Sequence, residues 1–305
     1  MTFDLLVVGD ANPDIVLSGV PAELPWGQRE RLVDAGAMTL GGSAAITACG
    51  AARLGLRTAF AGRVGDDVAG RFCLDALRDR GVDVTGCVVD PDVPTAMTVV
   101  LGGGQDRAIL TAAGCLPLLQ VSDIGPVRAR HVHVSSYFLQ PRLAAGLPAW
   151  FAKLRAEGIT TSLDTNDDPS GEWAGGVMDA IAQTDIFLPN EAEARALTRT
   201  DDVLAAAKAL AAAGGLAVVK RGADGALAWA DGGPVAVPGR PADPVDTVGA
   251  GDSFNAGFLA GHLGGAGLTA SLRLAAACGA LSTRAAGGTA AQPTMIEIGT
   301  DMSTR

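Results

Sequence analysis

The sequence predicts an α/β fold: a mostly parallel β-sheet with helices on both faces, carrying a small β-sheet lid. Three observations predict it. Short apolar runs alternate with alanine-rich, helix-periodic stretches along most of the chain, which is the rhythm of βα units. Runs such as Leu5-Leu6-Val7-Val8 are apolar at successive positions, which suits strands buried on both faces. Two turn-rich stretches, Gly102-Gly103-Gly104-Gln105-Asp106 and Asp231-Gly232-Gly233, read as hairpins set inside that rhythm.

The elements follow in order. Residues 3–9 are a strand closed by Gly9, and residues 14–17 a second strand after the polar Asp10-Ala11-Asn12-Pro13. A Pro-containing loop surrounds Trp26, and a short strand over 31–40 leads into Gly41-Gly42. A helix is expected over 43–54 with Ser43 as its cap, then a strand over 57–61. Residues 67–80 form an amphipathic helix with Phe72, Leu74 and Leu77 apolar, ended by Gly81. Strands over 95–101 and 107–111 make the first hairpin. Core strands are expected over 131–134, 160–163, 185–188 and 216–219, with helices over 141–157, 176–183, 191–197 and 202–212. A second hairpin spans 226–237, and two helices, 250–263 and 268–284, close the fold. The early strand pieces and the first hairpin break the βα rhythm. They are read as a lid from two insertions, 11–41 and 93–113, on an α/β body of 1–10, 42–92 and 114–305.

Composition bounds the function. The chain has 305 residues, 48% hydrophobic and 18% charged, enough for one large core. A net charge of -10, no Lys/Arg run and 4% aromatics argue against nucleic acid as a main partner. An acidic chain that binds a polyanion must supply positive potential locally, through amides, metal ions and a few basic groups. The five cysteines are odd in number and lack a C-x-x-C spacing, so they read as small buried hydrophobes in a reducing compartment. No basic segment precedes an apolar leader and no apolar run reaches spanning length, so a cytoplasmic, membrane-free location is expected.

Residues 246–258 pass from turn chemistry to a helical pattern. Gly249 and Gly251 allow close approach to a ligand, and a helix beginning at Ala250 offers unpaired amides and a dipole end that suit a phosphate. Asp252 stands in the first turn, placed to accept a hydroxyl proton. By itself such a stretch is more commonly a helix start, so other parts of the chain must agree with it. Asn190 and Glu193, three apart after a strand, share one helix face and offer oxygens suited to Mg²⁺, though the same spacing is a capping arrangement. Lys220-Arg221-Gly222-Ala223-Asp224-Gly225 is a basic strand end and a G-x-x-G turn, either a nucleotide site or a plain hairpin turn. Asn12, Asp14, Gly41 and Gly42 can hydrogen-bond a polyol, or merely make turns. His131 and His133 share one strand face with no third metal ligand in view. The chain lacks the P-loop, G-x-S-x-G and G-x-G-x-x-G patterns.

Taken together these residues resemble the PfkB (ribokinase-like) family of carbohydrate and nucleoside kinases, in the family's order and over nearly the whole chain. Asp246-Thr247-Val248-Gly249-Ala250-Gly251-Asp252-Ser253-Phe254 is similar to its C-terminal signature. Gly41-Gly42-Ser43-Ala44-Ala45 through Gly55, with Gly65-Asp66-Asp67-Val68-Ala69-Gly70, resembles its N-terminal signature. Asn190 and Glu193 match its N-x-x-E motif, and Gly222 and Gly225 its nucleotide turn. The resemblance implies a Rossmann-like α/β domain with a β lid that closes over a sugar. It implies Asp252 as catalytic base, with the amides of Gly249, Ala250, Gly251 and Asp252 as anion hole. It implies ATP as phosphate donor, bound through Asn190, Lys220, Gly222, Gly225 and Gly288, with residues 288–293 on the adenine side. Asn190 and Glu193 would hold Mg²⁺, mostly through water. Asn12, Asp14, Gly41, Gly42 and Asn166 would face the acceptor. Some members bind K⁺ beside the anion hole, which here places it at Asp246 and Val248.

Two departures bear on the acceptor. Ile46 stands where the family usually has Asn, and Asp168 ends Asp164-Thr165-Asn166-Asp167-Asp168 where many sugar-acid kinases have Arg. A carboxylate there would repel an anionic acceptor, so a neutral sugar is expected. The alternatives are a nucleoside kinase of the same family and a sugar-binding regulatory protein without turnover. An exposed lid edge invites pairing, so a homodimer through the lid is expected.

Overall fold

The computed structural model describes residues 2–24, 26–103, 106–230 and 232–303. It begins with β1 (Phe3–Val8), β2 (Asn12–Ser18), β3 (Ala35–Gly41), α1 (Ser43–Arg53), β4 (Thr58–Ala61) and β5 (Arg63–Gly65). Next come α2 (Val68–Arg78), β6 (Val88–Asp90), β7 (Met97–Gly103) and β8 (Asp106–Ala112). The βα alternation then runs through β9 (Ala129–Val134), α3 (Pro141–Ala156), β10 (Thr160–Leu163), α4 (Val177–Ala182), β11 (Ile186–Phe187), α5 (Glu191–Thr198), α6 (Val203–Ala213) and β12 (Leu216–Lys220). The hairpin β13 (Ala226–Ala230) and β14 (Gly233–Val237) follows, then α7 (Ala250–Leu263), α8 (Leu268–Ser282) and α9 (Met295–Ser303). The expected turn residues Gly104, Gln105 and Asp231 lie outside the described residues.

The main sheet has the order β14-β13-β12-β11-β10-β9-β1-β4. From β4 to β12 every pairing is parallel, and β13 and β14 add an antiparallel edge. Alternation along β1 decides which core each residue joins. Leu5 and Val7 pack with Ala48 of α1, Phe258 of α7 and Leu272 of α8. Leu6 and Val8 pack on the other face with Leu147 of α3, Ile181 of α4 and Leu210 of α6. Gly257 lets α7 and α8 approach closely: a Cβ there would lie 2.8 Å from Cys278 Sγ and 2.9 Å from Ala275 Cα. The cysteines are free, and burial pushes the Cys49, Cys73 and Cys278 thiols up to about 12.

A second, four-stranded sheet has the order β3-β2-β7-β8, drawn from the two stretches read as insertions. Its register sets two faces. Asp14 pairs with Thr39 and Thr98, and Thr98 with Thr111, giving a polar face on which Asn12, Asp14 and Thr98 are buried. Ile15 pairs with Met38 and Val99, and Val99 with Leu110, giving an apolar face on which Met38 is 52% and Leu110 58% exposed.

Two expectations are corrected, and one strand pairing is added to those expected. Ser43 does not cap α1; Gly42 takes the cap position with φ 89°. Asp10 performs the capping, accepting the amides of Ser43 and Ala44 at 3.0 Å each. The chain also does not close on α8, because α9 follows it. A short parallel pair, β5 with β6, is the added pairing.

Candidate active site

The first turn of α7 brings Gly249, Ala250, Gly251 and Asp252 together with Asp246, Val248 and Gly288. Gly249 caps the helix at φ 71°, a conformation that favours glycine, and a Cβ there would lie 2.6 Å from Gly288 Cα. Asp246 ties the two loops together: Oδ1 accepts the Val248 amide at 2.9 Å and Oδ2 the Gly287 amide at 2.8 Å. Of the expected anion-hole amides, that of Ala250 already donates to the Thr247 carbonyl at 3.3 Å. The Gly251 and Asp252 amides open the helix, where α7 itself supplies no acceptor.

Asp252 is 7% exposed. Burial pushes its carboxyl well above the usual carboxylate range, the Asp164 charge adds to this, and Lys220 opposes it. Lys220, at the end of β12, forms a buried ion pair with Asp164, which follows β10. Asn255, one turn beyond Asp252 on α7, donates to Asp164 Oδ2 at 2.6 Å and stands 3.4 Å from Lys220 Nζ. Asp164 and Asn255 went unnoticed as site residues in the sequence. The signal for Asn255 was its i+3 spacing from Asp252.

Asn190 and Glu193 meet as a closed capping box at the start of α5. Asn190 Oδ1 accepts the Glu193 amide at 2.9 Å, and Glu193 Oε2 accepts the Asn190 amide at 2.8 Å. Burial raises the Glu193 carboxyl, and the Asp164 charge adds to it. Asp164, Glu193 and Asp252 thus face the single ammonium of Lys220. Excess buried carboxylate oxygen is a donor set that fits a hard divalent cation. Among the described residues no group of three or more His, Cys, Asp or Glu side chains is arranged to hold a metal ion by itself.

A cavity of about 460 Å³ opens beside this cluster, lined by Lys220, Gly222, Gly225, Gly251, Phe254 and Gly279 among others. The two turn glycines differ in purpose. Gly225 is demanded by the fold, since its Cβ would lie 2.2 Å from the Val237 carbonyl oxygen. A Cβ on Gly222 would meet nothing within 4 Å, so that position looks onto open space. Gly239, Arg240, Pro241, Ala242 and Pro244, with the α8 residues Ala276 and Ala280, also line it, and none of them carried a sequence signal.

On the polar face of the lid sheet, Asn12 Nδ2 donates to Asp14 Oδ1 at 2.8 Å and to Thr98 Oγ1 at 3.1 Å. Burial raises Asp14 to about 7, with the Asp10 charge adding to it. Gly41 is close-packed on Asp14, and a Cβ on Gly42 would lie 2.6 Å from the Asp10 carbonyl oxygen. Asn166 takes φ 55°; its Nδ2 donates to Ser43 Oγ at 2.9 Å and its Oδ1 accepts the Ser136 amide at 2.8 Å. Asp168 does not present a bare charge. It accepts the Ser170 and Trp173 amides at 2.9 and 2.7 Å and the Ser170 hydroxyl, so it closes its own loop. His131 and His133 are fully buried and join the hydroxyls of Thr160, Ser162 and Ser135 in one chain of contacts between 2.7 and 2.9 Å.

A mostly parallel sheet covered on both faces thus carries a buried carboxylate at a helix start, next to a cavity of nucleotide size, an arrangement suited to phosphoryl transfer. The family model described as pfkB family carbohydrate kinase matches residues 2–295. A fructokinase of Klebsiella pneumoniae is 33% identical over 313 residues, covering 96% of this chain and 97% of that protein. An ATP-dependent ribose-1-phosphate kinase of Halopiger xanaduensis is 30% identical, covering 99% and 98%. A fructokinase double mutant from Vibrio cholerae O395, solved with fructose, ADP and potassium ion bound, is 29% identical, with a TM-score of 0.83 and 98% of each chain covered. The chain belongs to the PfkB family of carbohydrate kinases. It is a sugar kinase phosphotransferase with the ribokinase-like fold. Among the described residues, no helix is long and apolar enough to cross a membrane.

Proposed function

We propose that this kinase transfers the γ-phosphate of ATP to a hydroxymethyl group of a neutral sugar, in the manner of a ribokinase or fructokinase. The observation that carries the reading is Asp252, buried at the start of α7 next to Gly251, which lines the nucleotide-sized cavity. Asp252 accepts the proton of the attacking hydroxyl. The oxygen–phosphorus bond forms as the bond to the ADP oxygen breaks, and the opening amides of α7 face the charge in transit. Mg²⁺, held at Asn190 and Glu193 mostly through water, would supply charge neutralisation on the phosphates. Asp246 and the Val248 carbonyl are the groups here for K⁺; the V. cholerae relative binds that ion.

A neutral acceptor is supported by Asn12, Asp14, Gly41, Gly42 and Thr98, none of which is basic. The lid sheet closes its polar face on the sugar and excludes water. Its apolar outer face, with Met38, Ile15, Val99 and Leu110, is where a second copy of the chain would pack, and the reaction belongs in the cytoplasm. The test is a side-by-side assay of ribose, fructose, 2-keto-3-deoxygluconate, ribose 1-phosphate and adenosine with MgATP. Preference for ribose or fructose supports the reading; preference for ribose 1-phosphate or adenosine overturns the acceptor assignment. Sugar binding without ATP consumption overturns the kinase assignment for this chain.

A further inference from the structure

Lys220 is an expensive residue to bury. It is 9% exposed, its partner Asp164 is fully buried, and Asn255 is fully buried beside them. A buried ion pair is seldom retained for stability, because desolvation consumes most of the attraction. Three elements converge to hold this one: the end of β12, the residue after β10, and the second turn of α7. Asp164 Oδ2 accepts from both Lys220 and Asn255 Nδ2, while its Oδ1 accepts the Asn166 amide at 3.2 Å. Asn255 Oδ1 offers the ammonium a second acceptor at 3.4 Å. An ammonium has three protons, so one remains to point elsewhere.

Gly251 indicates where. It has no packing reason to be glycine and takes an ordinary helical conformation. A Cβ there would meet nothing closer than Lys220 Cδ and Nζ, both at 3.8 Å. Gly251 and Lys220 both line the nucleotide-sized cavity. The missing side chain therefore leaves open a space bounded by a helix-opening amide and an ammonium, which is a space for an anion.

We propose that Lys220 is a further catalytic residue that contacts the transferring phosphoryl group, and that Asp164 and Asn255 are its positioning residues. This rests on the kinase reading above. As the acceptor oxygen–phosphorus bond forms and the bond to ADP breaks, the hydroxyl proton passes to Asp252. The ammonium keeps its own proton and meets the charge that gathers on the phosphoryl oxygens. Asp164 acts through Lys220: burial pulls the Lys220 ammonium down, and the Asp164 and Glu193 carboxylates more than offset it, so the charge is kept.

The test uses the full chain, with folding of every variant checked by thermal melting. The chain has three lysines, Lys153, Lys208 and Lys220, so side-chain NMR of ¹³C,¹⁵N-lysine-labelled protein gives few resonances to assign. Lys153 and Lys208 are exposed, and binding of MgADP or a non-hydrolysable MgATP analogue should move the Lys220 resonance alone. With the best sugar, Lys220→Met should lower kcat about a hundredfold or more, with little change in the sugar KM. Asp164→Asn should lower kcat about tenfold or more, again with little change in the sugar KM, because the ammonium loses the carboxylate that aims it. The double variant should cost no more than Lys220→Met alone. A Lys220 resonance indifferent to nucleotide, an Asp164→Asn variant whose loss lies in the sugar KM rather than in kcat, or costs that multiply in the double variant would each overturn the proposal. If no sugar or nucleoside is turned over, the kinase reading fails, while the NMR arm still decides whether Lys220 meets a nucleotide phosphate.

Discussion

Ile46 and Gly288 interlock beneath the α7 loop. Ile46 is 3% exposed, and a Cβ on Gly288 would come within 2.4 Å of its Cδ1. The same side chain lies against Gly249, whose Cβ would be 3.1 Å from Ile46 Cγ2. Ile46 therefore packs under the two loops that Asp246 ties together, and its apolar character needs no apolar acceptor to explain it. Gly288→Ala should overpack this contact at a cost of about 1–3 kcal/mol. A lowered Tm together with a raised KM for ATP is expected, and a variant with parental values of both would show that the loops do not depend on this fit.

Asp252→Asn should bind ATP and sugar much as the parent does, by calorimetry, while kcat falls about 100- to 10,000-fold. Because burial raises the Asp252 carboxyl, the parental kcat/KM should fall on the acid side at a pH above the ordinary carboxylate range. Turnover within a fewfold of the parent would remove Asp252 from the base role.

Asp10 caps α1 from a distance of 33 residues in sequence. Asp10→Ala removes the acceptor for two helix amides and should cost about 0.5–2 kcal/mol of stability. Asp10→Asn keeps an acceptor oxygen, so it should recover part of that loss. Urea unfolding of the three proteins checks the order, and equal stability of the Ala and Asn variants would exclude a capping role.

These residues also show what the sequence made legible. The parallel core was readable because a strand covered on both faces must be apolar at successive positions, as β1 is from Leu5 to Val8. Caps were readable where the acceptor is local, as at Asn190, whose side chain takes the Glu193 amide at 2.9 Å. The cap of α1 is not legible because its acceptor, Asp10, comes from the connection between β1 and β2, and the cap position has φ 89°, which favours Gly42 over a serine. The α9 helix was overlooked although Thr294 and Glu297 carry a capping box, with the Thr294 amide donating to Glu297 Oε2 at 2.6 Å. Lys220 was visible as a basic residue near a turn. Its pairing with Asp164 and Asn255 was not, because three separate elements supply the members.

The buried chain of His131 and His133 yields the last prediction. Two hydroxyls and a shared Ser162 can satisfy both rings while they are neutral, and burial holds both below the ordinary imidazole value of 6.5. His262 adds to the effect at His131; for His133, lowered to about 4, Asp164 pulls upward and Lys220 downward. Below 6.5 the unfolded chain protonates His133, whereas the folded chain waits until about 4. The stability this ring contributes is complete above 6.5 and is lost as pH falls toward 4. Asp14 has the opposite sign: raised to about 7, it stabilises the folded state most at low pH, and that contribution fades as pH rises through 7. The parental curve sums both, so the informative quantity is the stability difference between parent and His133→Gln. That difference should shrink by on the order of 3 kcal/mol between about pH 7 and about pH 4, read by urea unfolding at each pH. A difference independent of pH would mean that His133 carries its charge inside the folded sheet.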